Sequence, residues 1–444
     1  MTLILKILQV ILALSVLIVI HEAGHFMWAK IFGIRVDKFF LFFDAGGFKL
    51  LSTKEGWFSR LFPKWKGKET EYGIGWLPLG GYCKINGMID ESMDTSWQAH
   101  EPQPYEFRSK KPWQRLLVMA GGVLNNFIFA VLVFIVISGI WGRSYIANEG
   151  NCIYVTPLGE EMGFATGDRI LSLDGKVPEN FGAIQADIVR NNVQKVQVLR
   201  GADTTDIYLD QSMFGQVLNS PEGMFTVAVP FTVSGIAEGS PNTGRLAAGD
   251  RIMSLDGQPC PFLQDARPVL ASHANATVDA SVIRAGDTLL VPLQVDSAGM
   301  IGVYPTMPGV VSETYNAITA IPAGISLAGK TIGGYLKDLR LVATPKTQAY
   351  KSVGSFIAIG QVFPNKWDWY QFLYILALLS IMLGVMNLLP IPGLDGGHIV
   401  FTLYEMITGK KPSDGFLMVA QLIGMAFLLL LMFLAFGNDI RRFL

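Results

Sequence analysis

Four stretches of this chain are apolar over about the 20 residues needed to cross a hydrocarbon core of about 30 Å. They run from Leu3 to Trp28, from Leu116 to Ile140, from Phe372 to Leu389 and from Phe416 to Phe436. Such segments are stable in lipid only as helices that satisfy their own backbone groups. The expected fold is therefore a multi-pass α-helical membrane protein with four transmembrane helices. Trp367, Trp369 and Tyr370 precede the third span as an aromatic belt suited to the headgroup boundary. Composition agrees: 50% of residues are hydrophobic and only 16% charged, where a soluble domain carries about 25%. With 35 basic and 36 acidic residues, no overall field draws a nucleic acid, and no nucleic-acid partner is expected. Cys83, Cys152 and Cys260 form no Cys-x-x-Cys pair, so any metal has to be held by nitrogen and oxygen.

Charge distribution orients the spans. The segment from Lys30 to Arg115 holds 14 Lys and Arg, whereas 142–368, more than twice as long, holds 16. The positive-inside rule makes the first segment cytoplasmic, together with the Lys410-Lys411 loop, and leaves the long loop and both termini outside. Arg441 and Arg442 mildly oppose this. Lys6 before an apolar run also resembles a signal peptide, but a charged cluster inside the run suits a retained, functional span.

The long loop contains a repeat. Gly167-Asp168-Arg169-Ile170-Leu171-Ser172-Leu173-Asp174-Gly175 returns 82 residues later as Gly249-Asp250-Arg251-Ile252-Met253-Ser254-Leu255-Asp256-Gly257, with eight of nine positions identical. A domain-sized interval means two copies of one fold, and strands bounded by Gly-Asp and Asp-Gly turns make each copy β-rich. Gly239-Ser240-Pro241 leading into Gly249-Asp250-Arg251-Ile252 resembles the PDZ signature. Two PDZ domains are expected, at 145–226 and 227–306, where they could bind extended peptides at a sheet edge or act as a steric gate. Ile318, Ile321, Ile325, Leu327, Ile332, Leu336 and Leu339 have helical spacing, and 307–368 reads as an amphipathic helical segment on or near the membrane.

The first span ends in His21-Glu22-Ala23-Gly24-His25, an H-E-x-x-H pattern. Helix positions i and i+4 lie about 40° apart, so both imidazoles can share one Zn²⁺ while Glu22 serves as general base. Ionisable groups inside a span are costly without such a role. Two histidines leave an open zinc site one ligand short. His100 and His273 lie in soluble-looking loops and His398 follows a broken span. Asp395, after Pro390 and Pro392, is either a helix cap or the third ligand; as a ligand its charge would be neutralised by the cation.

Together these features resemble the intramembrane site-2 proteases of the RseP type (regulator of sigma-E protease, metallopeptidase family M50). H-E-x-x-H in a first span, Asn387-Leu388-Leu389-Pro390 leading to Leu394-Asp395-Gly396 after a third, and PDZ domains between spans two and three carry the likeness. Glu71-Tyr72-Gly73-Ile74-Gly75 followed by Pro78-Leu79-Gly80-Gly81-Tyr82 is similar to the family's G-x-G hairpin and P-L-G-G-Y. Phe107-Arg108-Ser109-Lys110-Lys111, Arg115, Ala120-Gly121 and Asn125 are similar to its approach to the second span. Gly122 stands where the family has Pro, and Cys83 and Ile85 vary its Y-V-K-M tail; neither departure is expected to touch a ligand. The resemblance implies zinc on His21, His25 and Asp395, water activation by Glu22, and substrate binding by Asn387 and by a membrane-associated Gly73-Ile74-Gly75 hairpin.

Implied with it are 1–30 as the first span, 31–115 as a cytoplasmic or membrane-associated loop, 116–141 as the second span, 369–398 as the third and 399–444 as a short helix plus the fourth. The implied setting is the bacterial inner membrane with the PDZ pair extracytoplasmic. The implied partners are the lipid bilayer and single-span membrane proteins: an anti-sigma factor trimmed on its outer side, or remnant signal peptides. A catalytically silent PDZ scaffold, a transporter and a membrane zincin of another family are the alternatives.

Overall fold

The computed structural model describes residues 2–78, 80–88 and 101–443; Leu79 and His100 lie outside the described residues. The chain forms two compact units. One comprises Met1–Gly142, Thr314–Leu336 and Val353–Leu444, the other Arg143–Glu313 and Lys337–Ser352.

In the first unit the elements follow in the order α1 (Thr2–Ile31), β1 (Val36–Leu41), β2 (Lys49–Ser52), β3 (Glu71–Gly75), β4 (Tyr82–Ile85), α2 (Pro112–Trp141), α3 (Ala320–Val342), α4 (Trp369–Leu388), α5 (Asp395–Thr408) and α6 (Asp414–Phe443). Four of these helices, α1, α2, α4 and α6, are long and apolar enough to span a membrane, at the four places where the sequence places spans. Residues of α3 from Lys337 on belong to the second unit.

Helix contacts are set by small residues, as befits a lipid environment where large apolar side chains gain little by facing protein. A Cβ on Gly24 would lie 2.5 Å from the Gly121 carbonyl carbon and 2.7 Å from the Gly122 nitrogen, so α1 and α2 meet backbone to backbone. Likewise α3 buries Ala320, Gly324 and Ala328, while Ile318 just before it and Ile321, Ile325 and Leu336 within it stay exposed. Much of the apolar stripe thus points away from protein, as suits an amphipathic helix on or near the membrane, while Leu327, Ile332 and Leu339 are half-buried. The segment 307–368 is also not wholly helical. Val310–Glu313 is a strand, paired with Arg143–Ile146, and Phe356–Val362 is a separate short helix.

Strands β1 to β4 form one sheet in the order β2-β3-β1-β4. Here the expected hairpin is corrected. Gly73 and Ile74 pair in parallel with Phe40 and Leu41 on one side and antiparallel with Ser52 and Leu51 on the other. Strand β3 is therefore internal. Gly73 is glycine because the fully buried Phe40 ring crosses it, 2.5 Å from where a Cβ would sit. Among the described residues, β2 and β4 are the outer strands of this sheet.

The second unit holds two apolar cores, one around Ile153, Ile170, Val198 and Phe225, the other around Phe231, Ile252, Val282 and Leu293. The repeat occupies equivalent places in both. Arg169–Leu173 pairs with Lys195–Arg200 and Arg251–Leu255 with Thr277–Arg284. In each copy the aspartate after the glycine is buried under an arginine of the paired strand: Arg200 donates to Asp168 at 2.8 and 2.7 Å, and Arg284 to Asp250 at 2.7 and 2.6 Å. Asp174 and Asp256 turn with φ of 46° and 45°. Duplicated sequence is thus duplicated structure.

Candidate metal centre

Helix α1 carries His21 and His25 one turn apart, 8% and 6% exposed. Their Nε2 atoms are 3.2 Å apart. Helix α4 ends at Leu388, Pro390 and Pro392 prevent its continuation, and α5 begins on Asp395. The Asp395 Oδ2 atom lies 3.2 Å from Nε2 of His21 and 3.3 Å from Nε2 of His25, buried and without a hydrogen-bond partner among the described residues. Ligands about 2.0–2.1 Å from a tetrahedral zinc are separated by about 3.3–3.4 Å. Two imidazole nitrogens and one carboxylate oxygen thus form three corners of such a site. Asp395 opens its helix without capping it by a side-chain bond: the preceding Leu394 is the cap residue.

The imidazoles are oriented from behind. His25 Nδ1 lies 2.9 Å from the Val118 carbonyl, which needs a proton on Nδ1 and leaves the Nε2 lone pair free. His21 Nδ1 lies 3.1 Å from the side-chain amide of the fully buried Asn126, whose Oδ1 has no other partner. Turning the amide so that Oδ1 accepts from Nδ1–H pairs the ring nitrogen and again frees Nε2. Gly122 lies directly beneath the pair: a Cβ there would meet His25 Nε2 and come within 2.6 Å of His21 Cε1. The departure from the family's Pro therefore does touch the ligands.

Beyond the three ligands a cavity of about 330 Å³ opens. Glu22 lines it, beside the Cys83 backbone of β4. Asn387 of α4 also lines it, with Nδ2 3.2 Å from His21 Nε2. Gly81 to Ile85, not Gly73 to Gly75, form its sheet wall. His398 is a lining residue, whereas His273 pairs with Asp256 at 2.9 Å in the second unit.

At the cavity wall Tyr82 and Lys38 converge on Asp44, at 2.8 and 2.9 Å. Burial pushes the Asp44 carboxyl upward, but hydrogen bonds from Lys38 and Tyr82 outweigh it and hold the group below the usual carboxylate range. This brace keeps charge on the wall paired. Arg115 at the start of α2 reaches Glu405 of α5 at 2.6 Å, both mostly buried, tying the helix that carries Asp395 to the helix that backs the histidines.

Residues 9–431 match Peptidase family M50. The chain belongs to that family. Among known relatives of this M50 peptidase, the regulator of sigma-E protease RseP of Escherichia coli (strain K12) is 28% identical, over 97% of each chain. The Salmonella typhimurium (strain 14028s) RseP is 27% identical over 97% of each. A Neisseria meningitidis protein, provisionally named a zinc metalloprotease, is 27% identical over 98% of this chain and 99% of its own.

The M50 peptidase also contains residues that sequence reading passed over. Asn126 adjoins Asn125, the position matched to the family pattern, but Asn125 donates to the Ile20 carbonyl at 3.3 Å while Asn126 holds the ligand. A polar residue at a regular helical offset inside an apolar span was the available signal. Gly24 and Gly122 gave none, since their partners lie about a hundred residues away.

Proposed function

We propose that this M50 peptidase is a zinc-dependent endopeptidase of the RseP type that cuts single-span membrane proteins within their membrane segments. The observation that carries this reading is the convergence of His21, His25 and Asp395 on one point, with Glu22 on the cavity that opens from it. Zinc held there supplies Lewis acidity that makes a water nucleophilic near neutral pH and polarises the scissile carbonyl. Glu22 takes the proton from the attacking water and delivers it to the leaving amine. The Cys83 N–H holds the carboxylate in place between these transfers. Asn387, whose amide adjoins a ligand nitrogen, contacts the substrate backbone beside the scissile bond.

A transmembrane substrate hides its carbonyls in helical hydrogen bonds and has to be unwound before attack. Strand addition compensates the released groups. The outer strand of the sheet on the cavity side is β4, which walls the cavity; the clamping role first read for Gly73-Ile74-Gly75 passes to Tyr82–Ile85, with the inner strand β3 as support. The duplicated β-rich domains are read as PDZ domains on the outer side of the bacterial inner membrane, excluding substrates whose outer portion has not been trimmed. An anti-sigma factor or a remnant signal peptide fits this substrate class. A silent scaffold has no need of an open cavity at three convergent ligands.

The test is cleavage of a model single-span substrate by wild type and Glu22→Gln, with bound zinc quantified in both. Loss of cleavage by at least about a thousandfold with zinc retained supports the reading; equal cleavage refutes it. Deleting 145–306 should admit untrimmed substrate, and unchanged selectivity would remove the gate.

A further inference from the structure

Gln421 lies on α6, is 4% exposed and lines the cavity in front of the candidate metal ligands. Its amide has no hydrogen-bond partner among the described residues, and its polar atoms are not among those sealed away from any space. With the residue 4% exposed and on the cavity lining, the cavity is the space its side chain adjoins. The position is fixed: one turn further on, Gly424 leaves room for the Pro392 carbonyl, which a Cβ would overlap. Gln421 is thereby held against the turn that leads to Asp395. An amide left unpaired in a membrane helix costs free energy that a leucine would avoid, and the neighbours Val419, Leu422 and Ile423 show that the helix otherwise takes apolar residues here.

An extended peptide exposes N–H and C=O groups on both edges. A cavity within the membrane offers little water for these groups. A glutamine carboxamide presents the same donor and acceptor pair as a peptide group. We infer that Gln421 is a subsite for substrate backbone, pairing with the N–H and C=O of one residue of the unwound segment. This rests on the reading of the chain as a peptidase acting on unwound membrane segments.

The experiment measures binding of a fluorescent single-span substrate peptide to the zinc-loaded Glu22→Gln protein, with and without Gln421→Leu, alongside zinc content and thermal midpoint. Expected is binding weaker by about ten- to hundredfold, with zinc per chain unchanged and the midpoint unchanged or higher. An unchanged Kd overturns the subsite, and so does a loss of binding accompanied by loss of zinc. Gln421→Met, of similar length, is the second variant, and failure of both to fold assigns Gln421 to the scaffold instead. Cleavage by protein retaining Glu22 is scored separately: its absence overturns the peptidase mechanism, while the binding comparison still decides Gln421.

Discussion

Asn126 and His21 meet at 3.1 Å in the interior of the first unit, on the side of the imidazole opposite Asp395. An acceptor there fixes the proton on Nδ1, so Nε2 is the nitrogen presented to a cation. Outer partners of this kind are typically worth about ten- to hundredfold in metal affinity. Asn126→Leu should lower zinc affinity by that factor in a competitive chelator titration. An unchanged affinity would mean that helix geometry alone orients His21.

Gly24 occupies one of the two open positions of H-E-x-x-H, yet the structure does not leave it open. A Cβ would press into the Gly121 and Gly122 backbone, and backbone cannot rotate away. Gly24→Ala should separate α1 from α2 at a cost of about 1–3 kcal/mol. It should lower both the thermal midpoint and the zinc content. Retention of both would show that the helices part without disturbing the site.

The placement of the general base is tested at Cys83 of β4, whose backbone adjoins Glu22 at the cavity. Proline is tolerated on the outer side of an edge strand because no ladder bond is lost. Cys83→Pro should therefore keep zinc and folding but reduce cleavage by at least about a hundredfold, the size of one lost oriented hydrogen bond at a reacting group. Cleavage at the wild-type rate would show that the Cys83 N–H is not needed to hold Glu22.

Asp250 supplies a pH dependence outside the spans. Hydrogen bonds from Arg284 hold its carboxyl below the ordinary range, against the opposing effect of burial. A depressed folded value stabilises the fold above the unfolded value of about 3.9, and that stability is lost as pH falls through the folded value. Hydrogen exchange of Arg251–Leu255 in the intact chain should show Asp250→Asn less stable by about 2 kcal/mol at pH 7. The gap should close as pH drops below about 4. A gap independent of pH would assign the loss to packing.

What the sequence made legible was chemistry carried by local pattern. His21 and His25 share a helix face because of their spacing, the spans follow from apolar length, and the duplicated Gly-Asp-Arg-Ile motif marks two β-rich cores. What it hid depends on partners distant along the chain. The inner place of β3 comes from a parallel pairing with β1 across the β2 segment. The strand at Val310–Glu313 exists because it pairs with Arg143–Ile146, and the outward Ile face of α3 because Gly324 meets α2. Asn126 and Gln421 were concealed differently: each is a polar residue in an apolar run, legible as an exception but without a role until its neighbours are known.

The central claim is a zinc site made of two imidazole nitrogens and one carboxylate oxygen from α1 and α5. X-ray absorption at the zinc edge on the purified full-length protein tests it most directly. The expected result is one zinc per chain with nitrogen and oxygen neighbours at about 2.0–2.1 Å and no sulfur, falling to near zero occupancy in Asp395→Ala. Sulfur ligation, or full zinc occupancy in Asp395→Ala, would contradict it.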